Sequence, residues 1–159
     1  MAMTGPDFER LVREHERLVR ALATSYCRDA HAAEDVVQET FWRAWRALGS
    51  LRDPSRIKTW LCALCRNAAI DTLRRRKSRE TEELSVDVAV PDGRKDSELA
   101  ERVGKIVDGL REDYRQIMLL HYVEQLSYEE IAEALGMTSG AVGEKLHRVR
   151  KMVVERLAL

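Results

Sequence analysis

The chain has 159 residues, 27 Lys/Arg against 27 Asp/Glu, and 45% hydrophobic residues, so it can bury a core as one domain or two small ones. Eight Gly and three Pro are too few for a collagen, a linker protein or a turn-dense β-sandwich. Three Cys make no disulfide framework, no apolar run reaches membrane-span length, and the opening MAMTGPDFER lacks a signal-peptide core, so a soluble cytoplasmic protein is expected.

In chain order, Phe8, Leu11, Val12, His15, Leu18, Val19, Leu22 and Tyr26 recur at the helical spacing of three and four. Ala33, Val36, Val37, Thr40, Phe41, Ala44, Trp45 and Leu48 repeat it, with Gly49 as the stop. The segment SLRDPSR breaks the pattern, and Ser55 is placed to cap a third helix carrying Ile57, Trp60, Leu61, Leu64, Cys65, Ala68, Ala69 and Leu73. Residues 78–98, SRETEELSVDVAVPDGRKDSE, have no helical period and contain Pro91 and Gly93. They read as a flexible acidic linker spanning roughly 25 Å. Beyond it, Leu99, Val103, Ile106, Val107 and Leu110 form one stripe, continued by Tyr114, Ile117, Met118 and Tyr122. The expected fold is all-α, with two small helical domains, residues 1–77 and 99–159, on either side of the linker.

The sharpest local signal is LSYEEIAEALGMTSGAVGEKLHRVRK. Ser127 and Glu130 make a capping box, and Ile131, Ala132 and Leu135 line the inner face of a short helix. Gly136 suits a left-handed cap, and Thr138 or Ser139 caps a helix whose inner face is Ala141, Val142, Leu146 and Val149. Short helix, Gly-containing turn and longer helix form the helix-turn-helix pattern, whose second helix enters the major groove.

Charge is unevenly placed. Residues 1–77 hold 15 Lys/Arg against 10 Asp/Glu, residues 78–113 hold 6 against 11, and residues 114–159 hold 6 against 6. The neutral total therefore hides a basic front and an acidic middle, and local charge is what a partner feels. In the helix-turn-helix, Thr138, Ser139, Gly140, Gly143, Glu144, Lys145 and Arg148 are candidates for base edges, with His147, Arg150 and Lys151 suited to phosphates. Glu144 would repel phosphates, so it either turns away or accepts from a cytosine amino group. A second basic site, RNAAIDTLRRRK at 66–77, ends in Arg74, Arg75, Arg76 and Lys77, which fan around a helix end. Trp60 beside Arg56, Lys58 and Thr59 suits unstacked bases, although a core tryptophan is the better reading of that residue alone. Near the start of the second helix Glu34, Asp35, Gln38 and Glu39 gather opposite Phe41 and Trp45, with Trp42 offset. One helix cannot bury both Trp42 and Trp45 and leave its acids wet, so this face suits protein docking. Cys62 and Cys65 form a CxxC within a helical run, where small core residues are the simpler account; Cys27 leaves a thiol or metal cluster as an alternative. No phosphate loop, nucleophile elbow or paired catalytic acids appear, so no enzyme is expected.

With these residues in view, the chain resembles the extracytoplasmic-function (ECF) sigma factors, the minimal type of the sigma-70 family. AEDVVQETFWRAW (33–45) resembles the region 2 helix that docks on the β′ coiled coil of RNA polymerase. The resemblance implies polymerase contacts at Asp35, Gln38, Glu39, Trp42 and Trp45. IKTWLCALCRNAAIDTLRRRK (57–77) resembles the segments that melt and read the minus-ten element, implying roles for Arg56, Lys58, Trp60, Arg66, Asn67, Asp71, Arg74, Arg75 and Arg76. Relatives build the pocket for an extruded base from the loop before that helix, here about residues 50–58. SYEEIAEALGM and HRVRK resemble region 4, which reads the minus-thirty-five element, implying Thr138, Ser139, Gly140, Gly143, Glu144, Lys145, His147, Arg148 and Arg150.

The implied function is an alternative sigma factor that recognises and melts promoter DNA. Its implied partners are core RNA polymerase (β′ coiled coil and β flap), promoter DNA and an anti-sigma factor. The resemblance implies no cofactor, no small-molecule substrate, no catalysis of its own and no membrane insertion. The linker is similar to the segment that runs near the RNA exit path. Three departures stand out. Many relatives begin the recognition helix with a Ser-x-Gly-Thr-Val-Lys-Ser-Arg-like run, whereas Gly143 and Glu144 stand here, and Gly143 weakens the helix by up to about 1 kcal/mol against Ala. Cys62 and Cys65 replace residues more often aromatic and small. No additional C-terminal sensing domain is expected, so any sensing is expected to come from a separate protein. A stand-alone helix-turn-helix regulator, binding a two-fold operator without polymerase, is the rival reading.

Overall fold

The computed structural model describes residues 4–27, 29–77 and 98–159. They divide into two compact units, one from each half of the chain. All regular structure among the described residues is helical, as expected. The proposed linker lies outside them except for Glu98, which opens a helix.

Three helices build the first unit: α1 (Gly5–Tyr26), α2 (Ala30–Arg46) and α3 (Ile57–Lys77). α1 begins in a capping box, with the Thr4 hydroxyl accepting from the Asp7 amide and the Asp7 carboxylate accepting from the Thr4 amide. Two of the amides left open at a helix start are thereby satisfied. Leu11, Leu18, Val19 and Leu22 of α1 are buried, as their spacing predicts. Asp29 caps α2 by accepting from the His31 amide at 2.9 Å. The buried side chains of both helices are mostly small: Ala32, Ala33, Val36, Val37, Thr40 and Ala44 beside Phe41 in α2, and Thr59, Cys62, Cys65, Ala68, Ala69 and Thr72 beside Leu61 in α3. Small residues on both faces let two helix axes come close.

That packing accounts for the CxxC. Cys62 and Cys65 are 1% and 0% exposed, and the Cys65 thiol lies 3.8 Å from the Val19 carbonyl. Burial pushes the Cys65 pKa up to about 12, which keeps the thiol protonated and inert. Among the described residues no group of three or more His, Cys, Asp or Glu could hold a metal ion.

Two expected boundaries move. α2 ends at Arg46 and passes through Ala47 into a 3-10 turn, Leu48–Ser50. Gly49 lies inside that turn with negative φ; among the described glycines it is Gly136 that takes positive φ. Ser55 does not cap α3. Instead Asp53 accepts from the Ser55 amide at 3.0 Å and its hydroxyl at 2.7 Å, starting a 3-10 turn at Pro54–Arg56 that runs into α3. Pro54, with no amide to satisfy, suits the first position of that turn.

The second unit comprises α4 (Glu98–Asp108), α5 (Glu112–Met118), α6 (Tyr128–Leu135) and α7 (Ser139–Leu157). α5 widens into a π-helical turn, Leu119–Val123, where one continuous stripe through Tyr122 was expected. Gln125 then takes φ 58°, and the Leu126 amide donates to the Leu120 carbonyl at 2.9 Å, which returns Leu126 to the core. The helix-turn-helix forms as read. Ser127 and Glu130 bond reciprocally at 3.1 and 3.4 Å, Gly136 adopts φ 67° and ψ 41°, and Thr138 accepts from the Ala141 amide at 3.1 Å. Ile117, Leu120, Ile131, Val142, Leu146 and Val149 are at most 1% exposed, each contributing about 1.5–3 kcal/mol of hydrophobic burial.

Candidate functional site

In the first unit, α2 and α3 line one open groove with Asp35, Gln38, Glu39 and Trp42 on one side and Thr72, Arg75 and Arg76 on the other. The expected docking residues and part of the expected minus-ten cluster thus meet in one place. Asp35 and Gln38 are exposed, and Trp42 is 56% exposed, so the indole lies beside the acidic face in solvent. Trp45 is 44% exposed and does not line the groove; its ring meets Phe8 of α1 edge-on at 5.0 Å. Glu39 is tied down, accepting from Arg43 Nε at 2.9 Å.

Helical geometry sorts the minus-ten candidates. Trp60, Asn67, Asp71 and Arg74 recur at seven, four and three, so they share one stripe of α3. Trp60 is half-buried rather than a core residue, while its neighbours Thr59 and Leu61 are buried, so the start of α3 is covered on the face next to the indole. Arg56, Asn67, Arg74 and Arg75 are exposed, while Lys58 and Arg66 are half-buried; Arg66 Nη1 donates to the Asn67 side-chain oxygen at 3.5 Å. Asp71 faces α2, accepting from Arg43 Nη2 at 2.7 Å. That bond, made by a group already paired with Glu39, holds the Asp71 carboxyl below its ordinary value. Arg76 continues the buried stripe Cys65–Ala69–Thr72 by one turn and points inward, donating to Asp29 and Asp35.

In the second unit the exposed face of α7 carries Ser139, Gly140, Glu144, His147, Arg148 and Lys151, with Thr138 exposed at its cap. Glu144 accepts from Arg148 one turn on, so its carboxylate lies on the outward face beside a cation. Two candidates lie elsewhere. Lys145 Nζ donates to Asp113 of α5 at 2.9 Å, fastening the recognition helix to the domain. Although burial opposes it, that bond lowers the Asp113 pKa. Gly143 faces α6: a methyl added there would stand 3.3 Å from Tyr128 Cε2. Arg150 Nε donates to the Tyr122 hydroxyl at 2.5 Å, and Nη2 to that of Tyr128 at 3.5 Å.

Sequence reasoning did not pick out Arg43, Asp29, Asp113, Tyr122 or Tyr128. The Glu39–Arg43 spacing of four was a readable signal; the pairings between helices carry none.

The family description Sigma-70 region 2 matches residues 11–79, and Sigma-70, region 4 matches residues 100–153. The RNA polymerase sigma-H factor of Pseudomonas aeruginosa is 32% identical over 165 residues, covering 94% of this chain and 86% of that protein. The ECF RNA polymerase sigma factor SigE of Mycolicibacterium smegmatis is 34% identical over 161 residues, covering 96% of this chain. The chain spans 40% and 62% of the length of two of its curated relatives. Among solved structures, the sigma factor RpoE in complex with the anti-sigma factor NepR from Bartonella quintana is similar with a TM-score of 0.73 and 25% identity, covering 96% of this chain and 98% of that one.

Proposed function

Because this chain belongs to the sigma-70 family of RNA polymerase sigma factors, in its ECF group, we propose that it seats on core RNA polymerase and directs promoter-specific initiation. The observation that carries the reading is the exposed Asp35–Gln38–Trp42 face of α2, lying across one groove from Thr72, Arg75 and Arg76 of α3. A solvated acidic and aromatic face has little reason to exist on a monomer and suits a cationic protein partner, here the β′ coiled coil. Trp45 extends that face toward α1.

The stripe Trp60, Asn67, Asp71 and Arg74, with Arg56, Lys58, Arg66 and Arg75 around it, meets the opened minus-ten strand. Cations hold its phosphates and an aromatic stacks its bases. Arg43 makes Asp71 a support for α3 before it is a base reader. In the second unit Thr138, Ser139, Gly140, Glu144, His147 and Arg148 face the minus-thirty-five duplex, while Lys145 and Gly143 act by holding α7 in place. Arg150, held by two tyrosine hydroxyls, is set for a phosphate. The second unit also takes the β flap. The factor contributes no catalytic step; phosphodiester chemistry is the polymerase's. No helix among the described residues is long and apolar enough to cross a membrane, which supports action in the cytoplasm. The similarity to a sigma factor solved with its anti-sigma factor supports such a partner here.

The test is transcription in vitro with purified core polymerase. Asp35→Ala/Gln38→Ala is expected to abolish promoter-dependent initiation while leaving the helical circular dichroism intact. Unchanged initiation by that variant would remove the docking role. Tight binding of an intact palindrome without polymerase would replace the whole reading with the helix-turn-helix regulator.

A further inference from the structure

Within the arginine run that ends α3, Arg76 is the member turned toward α2. Its guanidinium meets two carboxylates: Asp29, the cap of α2, and Asp35, at 3.3 Å. The charge of Arg76 is thus shared between two anions in the free chain, although it belongs to a strongly basic helix end. The two acids differ in kind. Asp29 is built into the fold, because it also accepts from the His31 amide. The Asp35 side chain is 63% exposed, against 28% for Arg76, and forms part of the docking face. Ion pairs this exposed are weak and exchange partners readily.

We propose that Asp35 gates Arg76: in the free chain it keeps the arginine off nucleic acid, and a basic partner surface that takes Asp35 hands Arg76 to a phosphate of the opened strand. Polymerase docking and strand capture are then coupled through one exchanged ion pair. By linkage, a strand held by Arg76 frees Asp35 for docking to the same degree. The identity of the basic partner rests on the function proposed above; the Asp35–Arg76 antagonism does not. The neighbouring Arg43 is held differently: it pairs with Asp71 of α3 as well as with Glu39 of the docking face, and the Arg43 and Glu39 side chains are 27% and 33% exposed, so that pair is less open to exchange than Asp35 with Arg76.

The experiment measures binding of a fluorescein-labelled single-stranded oligothymidylate to the full free chain across a salt series. Asp35→Asn and Asp35→Ser are each expected to tighten binding by about fivefold and to steepen the salt dependence by up to about 0.7 in log–log slope, the signature of one added phosphate contact. Arg76→Gln alone should change the free chain by less than about twofold and should cancel the gain when combined with Asp35→Asn. Glu14→Gln, which removes an equal charge from the exposed face of α1, should give no gain. The gate is overturned if either Asp35 variant fails to tighten binding, if the double variant keeps the gain, or if Glu14→Gln matches it. A second arm repeats the measurement with the chain bound to core polymerase, where Arg76→Gln should weaken strand binding by about fivefold; an equal effect in both states refutes the coupling. Failure of the wild-type chain to associate with core polymerase would strike the proposed function, while the free-chain arm still decides the antagonism.

Discussion

Gly140 and Gly143 lie three residues apart in α7, and replacing each by Ala is expected to move stability in opposite directions. In a helix Ala is favoured over Gly by up to about 1 kcal/mol, because Gly loses more backbone freedom on folding. At Gly140 an added methyl meets nothing nearer than Thr138 Oγ1 at 4.0 Å. The gain survives there, trimmed to about 0.5 kcal/mol because the site is in the first turn. At Gly143 the methyl would meet Tyr128 Cε2 at 3.3 Å and Cδ2 at 3.6 Å. The first contact is inside the ~3.5–4.0 Å optimum for two carbons, so the ring must retreat by a few tenths of an ångström. Tyr128 is poorly placed to do so. It opens α6 directly after the Ser127 cap, its hydroxyl accepts from Arg150 at 3.5 Å, and its ring sits 5.4 Å from that of His121 between centroids. Overpacking of this kind costs about 1–3 kcal/mol, which outweighs the propensity gain and leaves Gly143→Ala less stable by roughly 1 kcal/mol.

The assay is urea unfolding of the full chain followed by amide NMR resonances of the second unit. Tryptophan fluorescence cannot report it, since Trp42, Trp45 and Trp60 all lie in the first half of the chain. Adding Tyr128→Ala to Gly143→Ala should turn the loss into a gain relative to Tyr128→Ala alone. If Gly143→Ala stabilises as much as Gly140→Ala, the glycine is not there to admit the ring, and the account of α6–α7 packing fails.

Two further outcomes follow from the first unit. Asp71, Asp29 and Glu34 titrate below their ordinary values, because Asp71 accepts from Arg43, Asp29 from the His31 amide and Arg76, and Glu34 from Arg20. With folded pKa values depressed, the unfolded chain takes up protons first on acidification; the stabilisation is complete above the unfolded values and lost as pH falls through the folded ones. Tryptophan-detected urea midpoints should therefore drop steeply below about pH 4, and Arg43→Gln should flatten that drop; an identical acid slope in the variant would refute the assignment. The buried thiols supply the other outcome. Cys27, Cys62 and Cys65 should react with Ellman's reagent no faster than the first unit unfolds, and a rapid native phase would show that one of them is a reactive group rather than a packing residue.

The parts of the fold legible from sequence are those whose causes act within a few residues. Ser127, Glu130, Gly136 and Thr138 each satisfy or bend the backbone no more than four positions away, so the helix-turn-helix could be drawn residue by residue. The π-turn at Leu119–Val123 was not legible. Leu120 and Leu126 on either side of its end are both buried and joined by a backbone bond, and burial depends on the rest of the unit rather than on the spacing within the segment. Gly49 misled for the converse reason: a glycine after a helix is the usual stop, yet the 3-10 turn here needs no positive φ. In the candidate site, exposure was readable but pairing was not. Lys145 and Asp113 are 32 residues apart, and Arg76 and Asp35 are 41 apart. A count of charges treats each of these cations as one more contact for DNA, whereas the fold places them against carboxylates of other helices.

That placement recurs in both units and divides the cations into two physical kinds. Arg76 and Lys145 each hold a helix of the candidate DNA interface to a carboxylate from elsewhere in its unit, Asp29 and Asp35 for α3 and Asp113 for α7. Their near neighbours Arg74, Arg75 and Arg148 are exposed on the same helices, and the partners shown for Arg75 and Arg148, the Asp71 carbonyl and Glu144, lie on their own helix. An exposed cation adds to affinity through counterion release, so its loss weakens binding about equally for all sequences and lowers the salt dependence. An anchoring cation sets the direction in which the helix presents its neighbours, so its loss acts on all of them together, and on the gate proposed above Arg76 meets a phosphate only once Asp35, its exchangeable partner, has gone elsewhere. The formal net charge of zero therefore says nothing of which cations of the candidate interface are held against carboxylates of other helices and which are exposed on their own. Only a partner able to compete for those acids can change the balance between them.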